Sequence, residues 1–177
     1  MSKRSALAAL SLIVVTVISC APDQSRTSED VVLGMIEAVN TRNFDALDDF
    51  IAADVRRYSG ATPDVKVESL DDFKAFLHQD LAGVPDAQQE VNQIFSDGPM
   101  VAVHVTYRGT QTGQMGPFPP SDMPIELPFI GLLRVEDGKI AEIWVEWDNL
   151  NILSQLGHFP PPVPPQAEEG ESEEPTA

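Results

Sequence analysis

The chain has little cysteine, little positive charge and little histidine. Of its 177 residues, one is cysteine, three are histidine and 11 are lysine or arginine. A single cysteine cannot form an internal disulfide. The 28 acidic residues outweigh the basic ones and give a formal net charge of -17. Because nucleic-acid binding needs a basic surface, this charge argues against a nucleic-acid partner.

The three histidines do not have the spacing of a metal site. His78 follows the apolar face of a predicted helix and is expected at the surface, whereas His104 alternates within a predicted strand and faces either a pocket or solvent. The glycine-rich stretch at residues 109–116 lacks the lysine of a phosphate-binding loop. We therefore expect neither a metal nor a cofactor.

The N-terminus has the pattern of an export signal. After a basic start, residues 6–18 form an apolar run that is too short to favour a transmembrane helix. The run ends in VISC, which resembles the lipobox of bacterial lipoproteins, although an ordinary signal peptide with an incidental cysteine is the alternative. The resemblance implies that residues 1–19 are removed and that two acyl chains on Cys20 hold the protein in a membrane. We expect the cell envelope, outside the cytoplasm.

The two ends of the chain flank a segment long enough for one domain. Residues 20–27 are interpreted as the lipidated cysteine and a short polar tether. Residues 159–177 are rich in proline and glutamate and contain no basic residue, so they are predicted to be a disordered acidic tail. Residues 28–158 are sufficient for one hydrophobic core.

Helical periodicity dominates the first part of this domain. Thr27 and Asp30 have the spacing of a capping box ahead of a first helix. Asn43 is expected to cap a second, short helix whose apolar face extends to Ile51. Ser69 begins a third helix, which ends at the Gly-Val-Pro sequence from residue 83.

The period then changes to two, which is typical of strands. Strands are predicted at residues 91–95, 101–108, 125–135 and 139–147. A hairpin turn is expected at Glu136-Asp137-Gly138, and a final short helix is expected to stop at Gly157. Helices followed by antiparallel strands predict an α+β domain with the helices on one side of a sheet.

Three motifs occur together: RGTQTG at residues 108–113, RVEDGKI at residues 134–140 and EIWVEWDNLNILSQLG at residues 142–157. In combination they resemble the SnoaL-like polyketide cyclase and predicted ester cyclase family, within the nuclear-transport-factor-2-like superfamily. The resemblance spans nearly the whole domain. It implies a cone-shaped, curved antiparallel sheet packed with three N-terminal helices around an apolar pocket.

The resemblance also implies a chemistry. Active relatives close a ring by intramolecular aldol condensation without a cofactor, and an aspartate at the position of Asp148 is their acid/base group. This role is physically reasonable because the pKa of a carboxyl group rises when an apolar pocket solvates its charge poorly. Asp148 is accordingly the expected catalytic residue, and the expected substrate contacts are Trp144, Gln111, Glu146 and His104.

The pattern of the last strand conflicts with this assignment. Even-numbered residues 140–148, which include Asp148, share one face, and odd-numbered residues 141–147 share the other. By composition the odd-numbered set is the core face, whereas the resemblance requires the face of Asp148 to line the pocket. The apolar opposite face would then need cover, and a second copy of the chain is expected to provide it. The alternative is a bulge near the end of the strand that re-aims Asp148.

Asp148 also has a purely structural interpretation, because an aspartate at a helix start is a good N-cap that contributes about 1 kcal/mol. The histidines that many relatives have at the positions of Gln111 and Ile143 are absent. Two functions follow: a cofactor-free cyclase acting on a small hydrophobic carbonyl compound, or a non-catalytic module that binds a small hydrophobic ligand. Export favours the second, and a scaffold role ranks last.

Overall fold

The computed structural model describes residues 26–159. The helices are α1 (Ser28–Asn40), a 3₁₀ helix (Phe44–Asp49), α2 (Leu70–Gly83) and α3 (Asn149–Gln155). The strands are β1 (Ile51–Tyr58), β2 (Gln88–Asp97), β3 (Met100–Thr110), β4 (Pro124–Glu136) and β5 (Lys139–Trp147). The predicted signal peptide, the lipidation at Cys20 and almost all of the acidic tail lie outside the described residues.

The strands form one mixed sheet in the order β1-β5-β4-β3-β2. The pairs β2–β3, β3–β4 and β4–β5 are antiparallel, as the sequence predicts. β1 lies at the edge of the sheet and runs parallel to β5. The predicted α+β class is therefore confirmed, but the prediction of a wholly antiparallel sheet was wrong at this edge.

β1 is the strand that the sequence pattern missed. Ile51, assigned from the sequence to the second helix, begins β1 instead, and that helix is a 3₁₀ helix ending at Asp49. The segment IAADVRRY contains two alanines, an aspartate and two arginines, whereas strands favour β-branched and aromatic residues. Its extended conformation depends on pairing with β5, which lies far away in the sequence.

Two of the three predicted helix starts are confirmed by their side-chain hydrogen bonds. The Thr27 hydroxyl accepts from the backbone N–H of Asp30 at 3.1 Å, and the Asp30 carboxylate accepts from the backbone N–H of Thr27 at 3.0 Å. The Ser69 hydroxyl accepts from the backbone N–H of Asp72 at 3.1 Å. Asn43 occupies the N-cap position of the 3₁₀ helix, as predicted, but its side chain makes no capping hydrogen bond.

The predicted hairpin turn joins β4 to β5. Asp137 and Gly138 have φ angles of 50° and 75°, as a two-residue turn with both central residues in the left-handed region requires. This turn pairs Glu136 with Lys139, and a bulge between the pairs Val135–Ile140 and Arg134–Glu142 shifts the register of the rest of β5.

The helices lie on one face of the sheet, and the side chains of the main core line the space between the helices and this face. Fully buried side chains of α1, such as Val31 and Val32, pack with Val101 and Val105 of β3. A smaller cluster lies at the end of the sheet where α3 packs on β4. Within residues 26–159, no helix combines the length and the apolar character that crossing a membrane requires.

Candidate active site

A cavity of about 520 Å³ lies between the helices and the inner face of the sheet. Its floor consists of odd-numbered residues at positions 103–107 of β3, 127–133 of β4 and 143–147 of β5. The α-helices α1, α2 and α3 contribute to its walls. The loop after β1, which contains Thr62, and the loop after β3, which contains Phe118, contribute as well. The volume falls in the range of pockets that hold small organic molecules.

The residues of β5 that line the cavity floor show which face of this strand points inward. Ile143, Val145 and Trp147 line the cavity, whereas Trp144 and Glu146 do not. The face that is apolar by composition is therefore the cavity face, and the arrangement that places Asp148's face inward was wrong. A bulge between the pairs Val135–Ile140 and Arg134–Glu142 interrupts the alternation, so Ile140 is fully buried in the core although Ile143 is buried as well. The expectation that all even-numbered residues from 140 to 148 share one face was therefore wrong at Ile140.

Asp80 and Tyr107 form a hydrogen-bonded pair in the cavity wall. The Tyr107 hydroxyl, from β3, donates to the carboxylate of Asp80, from α2, at 3.0 Å. Both residues line the cavity and both are half-buried. The pair is polar, whereas most of the other residues that line the cavity are apolar.

Burial changes the pKa of both groups. Desolvation raises the pKa of Asp80, and it outweighs the opposite effects of the Tyr107 hydrogen bond and of Arg42 and Arg57. Desolvation and the neighbouring Asp80 carboxylate raise the pKa of Tyr107, so its hydroxyl remains a donor at neutral pH. A carboxyl group with a raised pKa in a cavity is a candidate acid/base group.

Sequence reasoning missed Asp80, although the sequence contains a signal for it. Phe73, Phe76 and Leu77 form the apolar face of α2, and Asp80 follows Leu77 by three positions and Phe76 by four. Residues with this spacing share one face of a helix. An aspartate on the apolar face of a helix was thus visible in the sequence, but only the fold shows that Tyr107 lies opposite.

Arg57 of β1 places a cation in the same cavity. Its exposed fraction is 6%, and one of its guanidinium N–H groups donates to the Thr62 hydroxyl at 3.1 Å. The guanidinium carbon lies over the ring of Phe76, 4.5 Å from its centroid, and over that of Trp147 at 5.6 Å. Desolvation lowers the pKa of Arg57, opposed by the charges of Glu146 and Asp80.

Asp148 is exposed and caps α3. Its carboxylate accepts from the backbone N–H groups of Leu150 and Asn151 at 2.9 and 3.0 Å. It is not among the residues that line the cavity. The structural interpretation of Asp148 as an N-cap is therefore confirmed, while its catalytic role stays a prediction.

Trp144, Glu146 and His104 lie on the outer face of the sheet. Glu146 and His104 are both cross-strand partners of the exposed Ile130, and the ring of Trp144 stacks on Tyr58 with a centroid distance of 5.4 Å. None of the three lines the cavity. Glu146 acts on the rim indirectly, because its carboxylate accepts from the backbone N–H groups of the loop that precedes Thr62.

Gln111 is fully buried and is an organiser of the 111–123 loop. Its amide nitrogen donates to the carbonyl of Pro119 at 3.0 Å, and its amide oxygen accepts from the Ser121 hydroxyl at 2.8 Å. His158 lies 3.1 Å from the same oxygen. Gln111 does not line the cavity, but the loop that it organises contributes Phe118 to the rim.

Comparisons with known proteins agree with this architecture. A family model described as SnoaL-like polyketide cyclase matches residues 29–156. The solved structure of wild-type IdmH from Streptomyces antibioticus is 28% identical with a TM-score of 0.67, covering 75% of this chain and 99% of that chain.

Two more distant structures show the fold alone. A SnoaL-like polyketide cyclase from Agrobacterium tumefaciens is 23% identical with a TM-score of 0.63, covering 75% of this chain and 99% of that chain. A protein with a ketosteroid isomerase-like fold from Catenulispora acidiphila was solved with trimethylamine. It is 20% identical with a TM-score of 0.63, covering 75% of this chain and 95% of that chain. A comparison with curated proteins gives no match.

Proposed function

Because the chain belongs to the SnoaL-like polyketide cyclase family, we propose that it catalyses cofactor-free, aldol-type acid/base chemistry on a small hydrophobic carbonyl compound. The observation that carries the proposal is the Asp80–Tyr107 pair, which presents a carboxyl group with a raised pKa to a largely apolar cavity. Such a group can take a proton as the carboxylate and return it as the acid.

In the proposed reaction, the Asp80 carboxylate takes a proton from a carbon next to a carbonyl group and leaves an enolate. The enolate carbon forms a C–C bond with a second carbonyl carbon of the same molecule, whose oxygen becomes an alkoxide. Protonated Asp80 then returns the proton to this alkoxide. The net change is one new C–C bond with no gain or loss of atoms or electrons.

The first step can be tested without knowledge of the natural substrate. A hydrophobic ketone such as 2-tetralone exchanges its acidic C–H protons slowly in D₂O, and the loss of their NMR signal measures the rate. We expect the wild-type protein to accelerate this exchange above the buffer rate. Binding of the ketone in the cavity with exchange at the buffer rate would favour the alternative, a non-catalytic module that binds a small hydrophobic ligand.

A second copy of the chain is proposed to cover the outer face of the sheet. One cross-strand row there, which we call the apolar row, contains Tyr58, Trp144, Leu132, Ala102 and Phe95. Phe95 is 65% exposed and Leu132 40%. Contiguous exposed apolar surface of this kind is typical of interfaces.

The charges beside the apolar row support a second copy as the occupant. The next row of cross-strand partners carries both signs, with Arg56 and Arg134 as well as Glu142 and Asp97. A surface that carries both signs can match a copy of itself, as a two-fold interface requires. A strongly acidic or basic partner would meet like charges there.

Sedimentation velocity tests this interface. We expect the wild-type protein to sediment as a dimer and Leu132→Glu as a monomer, because the substitution places a charge at the centre of the apolar row. Leu33→Glu is the matched control, since Leu33 is 39% exposed on α1, away from the sheet. A monomeric wild-type protein, or equal dissociation by both variants, would refute the interface.

The proposed location is the cell envelope, with the domain held outside the cytoplasm by acyl chains on Cys20. The support is the lipobox-like VISC sequence after a short apolar run. Intact-mass measurement of the protein from its native host is expected to show loss of residues 1–19 and addition of a diacylglyceryl group. An unmodified Cys20 would reject the anchor and leave the proposed chemistry untouched.

A further inference from the structure

We infer that the cavity binds a hydrophobic organic anion and that Arg57 holds its carboxylate. This inference rests on the proposed function, because it names the class of substrate that the same cavity takes. The observation behind it is the buried cation Arg57 in the cavity wall, not the Asp80–Tyr107 pair.

Arg57 is a buried cation without an ion-pair partner in the described part of the chain. Its guanidinium has five N–H donors, and the only hydrogen bond recorded for them within residues 26–159 goes to the Thr62 hydroxyl. No carboxylate of these residues lies within 4.0 Å of it. Exposed arginines of the same sheet do have such partners, as in the pair between Arg108 and Glu126.

Glu146 and Asp80, the two acidic residues whose charges act on Arg57, make their hydrogen bonds to other groups. The Glu146 carboxylate accepts backbone N–H groups from Gly60 and Ala61, at 2.6 and 3.1 Å. The Asp80 carboxylate accepts the Tyr107 hydroxyl. Each is close enough to act on Arg57 electrostatically, but neither forms a direct ion pair with it.

An unpaired buried charge lowers the stability of a fold, so its presence calls for a physical reason. Here the reason is a ligand, since Arg57 lines the cavity and its unused donors have no protein acceptor in the described residues. An arginine fork matches the two oxygens of a carboxylate, which it binds through parallel hydrogen bonds. Exclusion of water strengthens this attraction.

Two aromatic rings lie next to the charge of Arg57. Its guanidinium carbon is 4.5 Å from the ring centroid of Phe76 and 5.6 Å from that of Trp147. Such cation–π contacts stabilise the charge without using its N–H donors, which are left for a ligand. The same rings, with the apolar floor, form the surface that holds the hydrophobic body.

The test compares one hydrophobic acid with its own ester. We expect 2-naphthoate to bind at pH 7 at least about tenfold more tightly than methyl 2-naphthoate, because a hydrogen bond to a charged group is worth at least that factor. Calorimetry measures both dissociation constants on the wild-type protein. NMR locates the site, since the indole N–H signal of Trp147 in the cavity is expected to shift while that of Trp144 on the outer face is not.

Substitutions at Arg57 test whether this residue causes the preference for the acid over its ester. Arg57→Gln is expected to abolish the preference for the acid while keeping the affinity for the ester, and Arg57→Lys is expected to restore part of it. Arg56→Gln is the matched control, since Arg56 is the neighbouring residue on the exposed side of β1 and pairs with Glu68 at 3.6 Å. Circular dichroism shows whether each variant folds, and the comparison on the wild-type protein needs no variant.

The outcomes separate this inference from the proposed function. Equal affinity of the wild-type protein for acid and ester overturns the anion site, whatever the exchange rate of 2-tetralone. A preference for the acid without catalysed exchange supports the anion site and refutes the proposed chemistry. Binding of neither compound, or an equal loss of preference in Arg56→Gln, overturns the anion site.

Discussion

Asp80→Asn is expected to slow the protein-catalysed exchange of 2-tetralone by about 100- to 10,000-fold, the usual contribution of a positioned acid/base group. The asparagine side chain has nearly the same shape and can still accept the Tyr107 hydroxyl, so the cavity and its affinity for the ketone are expected to persist. Only the proton-accepting group is lost. NMR exchange rates and calorimetric binding on the same samples distinguish a loss of chemistry from a loss of binding.

Asp148→Asn is the matched control for this substitution. Asparagine is as good an N-cap as aspartate, so α3 is expected to remain intact. If Asp80 is the acid/base group, the control keeps the wild-type exchange rate. If the rate falls in Asp148→Asn and not in Asp80→Asn, the role that the family resemblance implies for Asp148 is correct and the present assignment is wrong.

The pH dependence provides an independent signature of Asp80. The group acts as a base when it is deprotonated, so the exchange rate is expected to rise with pH through its pKa. In Tyr107→Phe the hydrogen bond that lowers the pKa of Asp80 is absent, and this rise is expected at higher pH. An unchanged profile would show that another group controls the rate.

The same shift predicts how Asp80 affects stability. Because its folded-state pKa is raised above its ordinary value, the folded protein binds more protons here than the unfolded chain at pH values between the two pKa values. The contribution of Asp80 to the free energy of unfolding therefore falls as pH rises through this interval. Asp80→Asn removes that loss, so the variant is expected to be at least as stable as the wild type at neutral pH.

Gln111→Leu is expected to lower the free energy of unfolding by about 1–3 kcal/mol, since it removes the hydrogen bonds that the fully buried Gln111 amide makes within its loop. The Pro119 carbonyl and the Ser121 hydroxyl lose hydrogen bonds, and His158 loses its contact with the amide oxygen. Denaturant unfolding followed by circular dichroism measures the change. Ligand affinity is expected to fall as well, because the disturbed loop carries Phe118 to the cavity rim.

Gln114→Leu is the control for this prediction, because Gln114 lies in the same loop but is exposed. Its substitution is expected to change the free energy of unfolding by less than about 0.5 kcal/mol. A Gln111→Leu variant with unchanged stability and weakened ligand binding would show that Gln111 contacts the substrate, as the resemblance implies. That result would contradict the role of a loop organiser.

Local sequence patterns determined much of the architecture of this protein. The capping box at Thr27, the hairpin at residues 136–138 and the alternation along β3 and β5 all depend on residues close to one another in the chain. The motifs at residues 108–113, 134–140 and 142–157 indicated the family whose model matches residues 29–156. Alternation identified the cavity face of β5 from Ile143 to Trp147, against what the resemblance required of Asp148, but it did not reveal the bulge that buries Ile140.

The tertiary structure alone decided the candidate active site. Arg57, Asp80 and Tyr107 come from β1, α2 and β3, and they meet because the chain adds β1 to the far edge of the sheet. Each is a polar residue within an otherwise apolar wall, and local pattern carries no information about the residue it will face. Asp148, by contrast, has its hydrogen-bond partners two and three residues away, so its role as a helix cap was visible in the sequence. Contacts between neighbours in the chain leave a local pattern, whereas burial and pairing across the fold arise only when distant segments pack together.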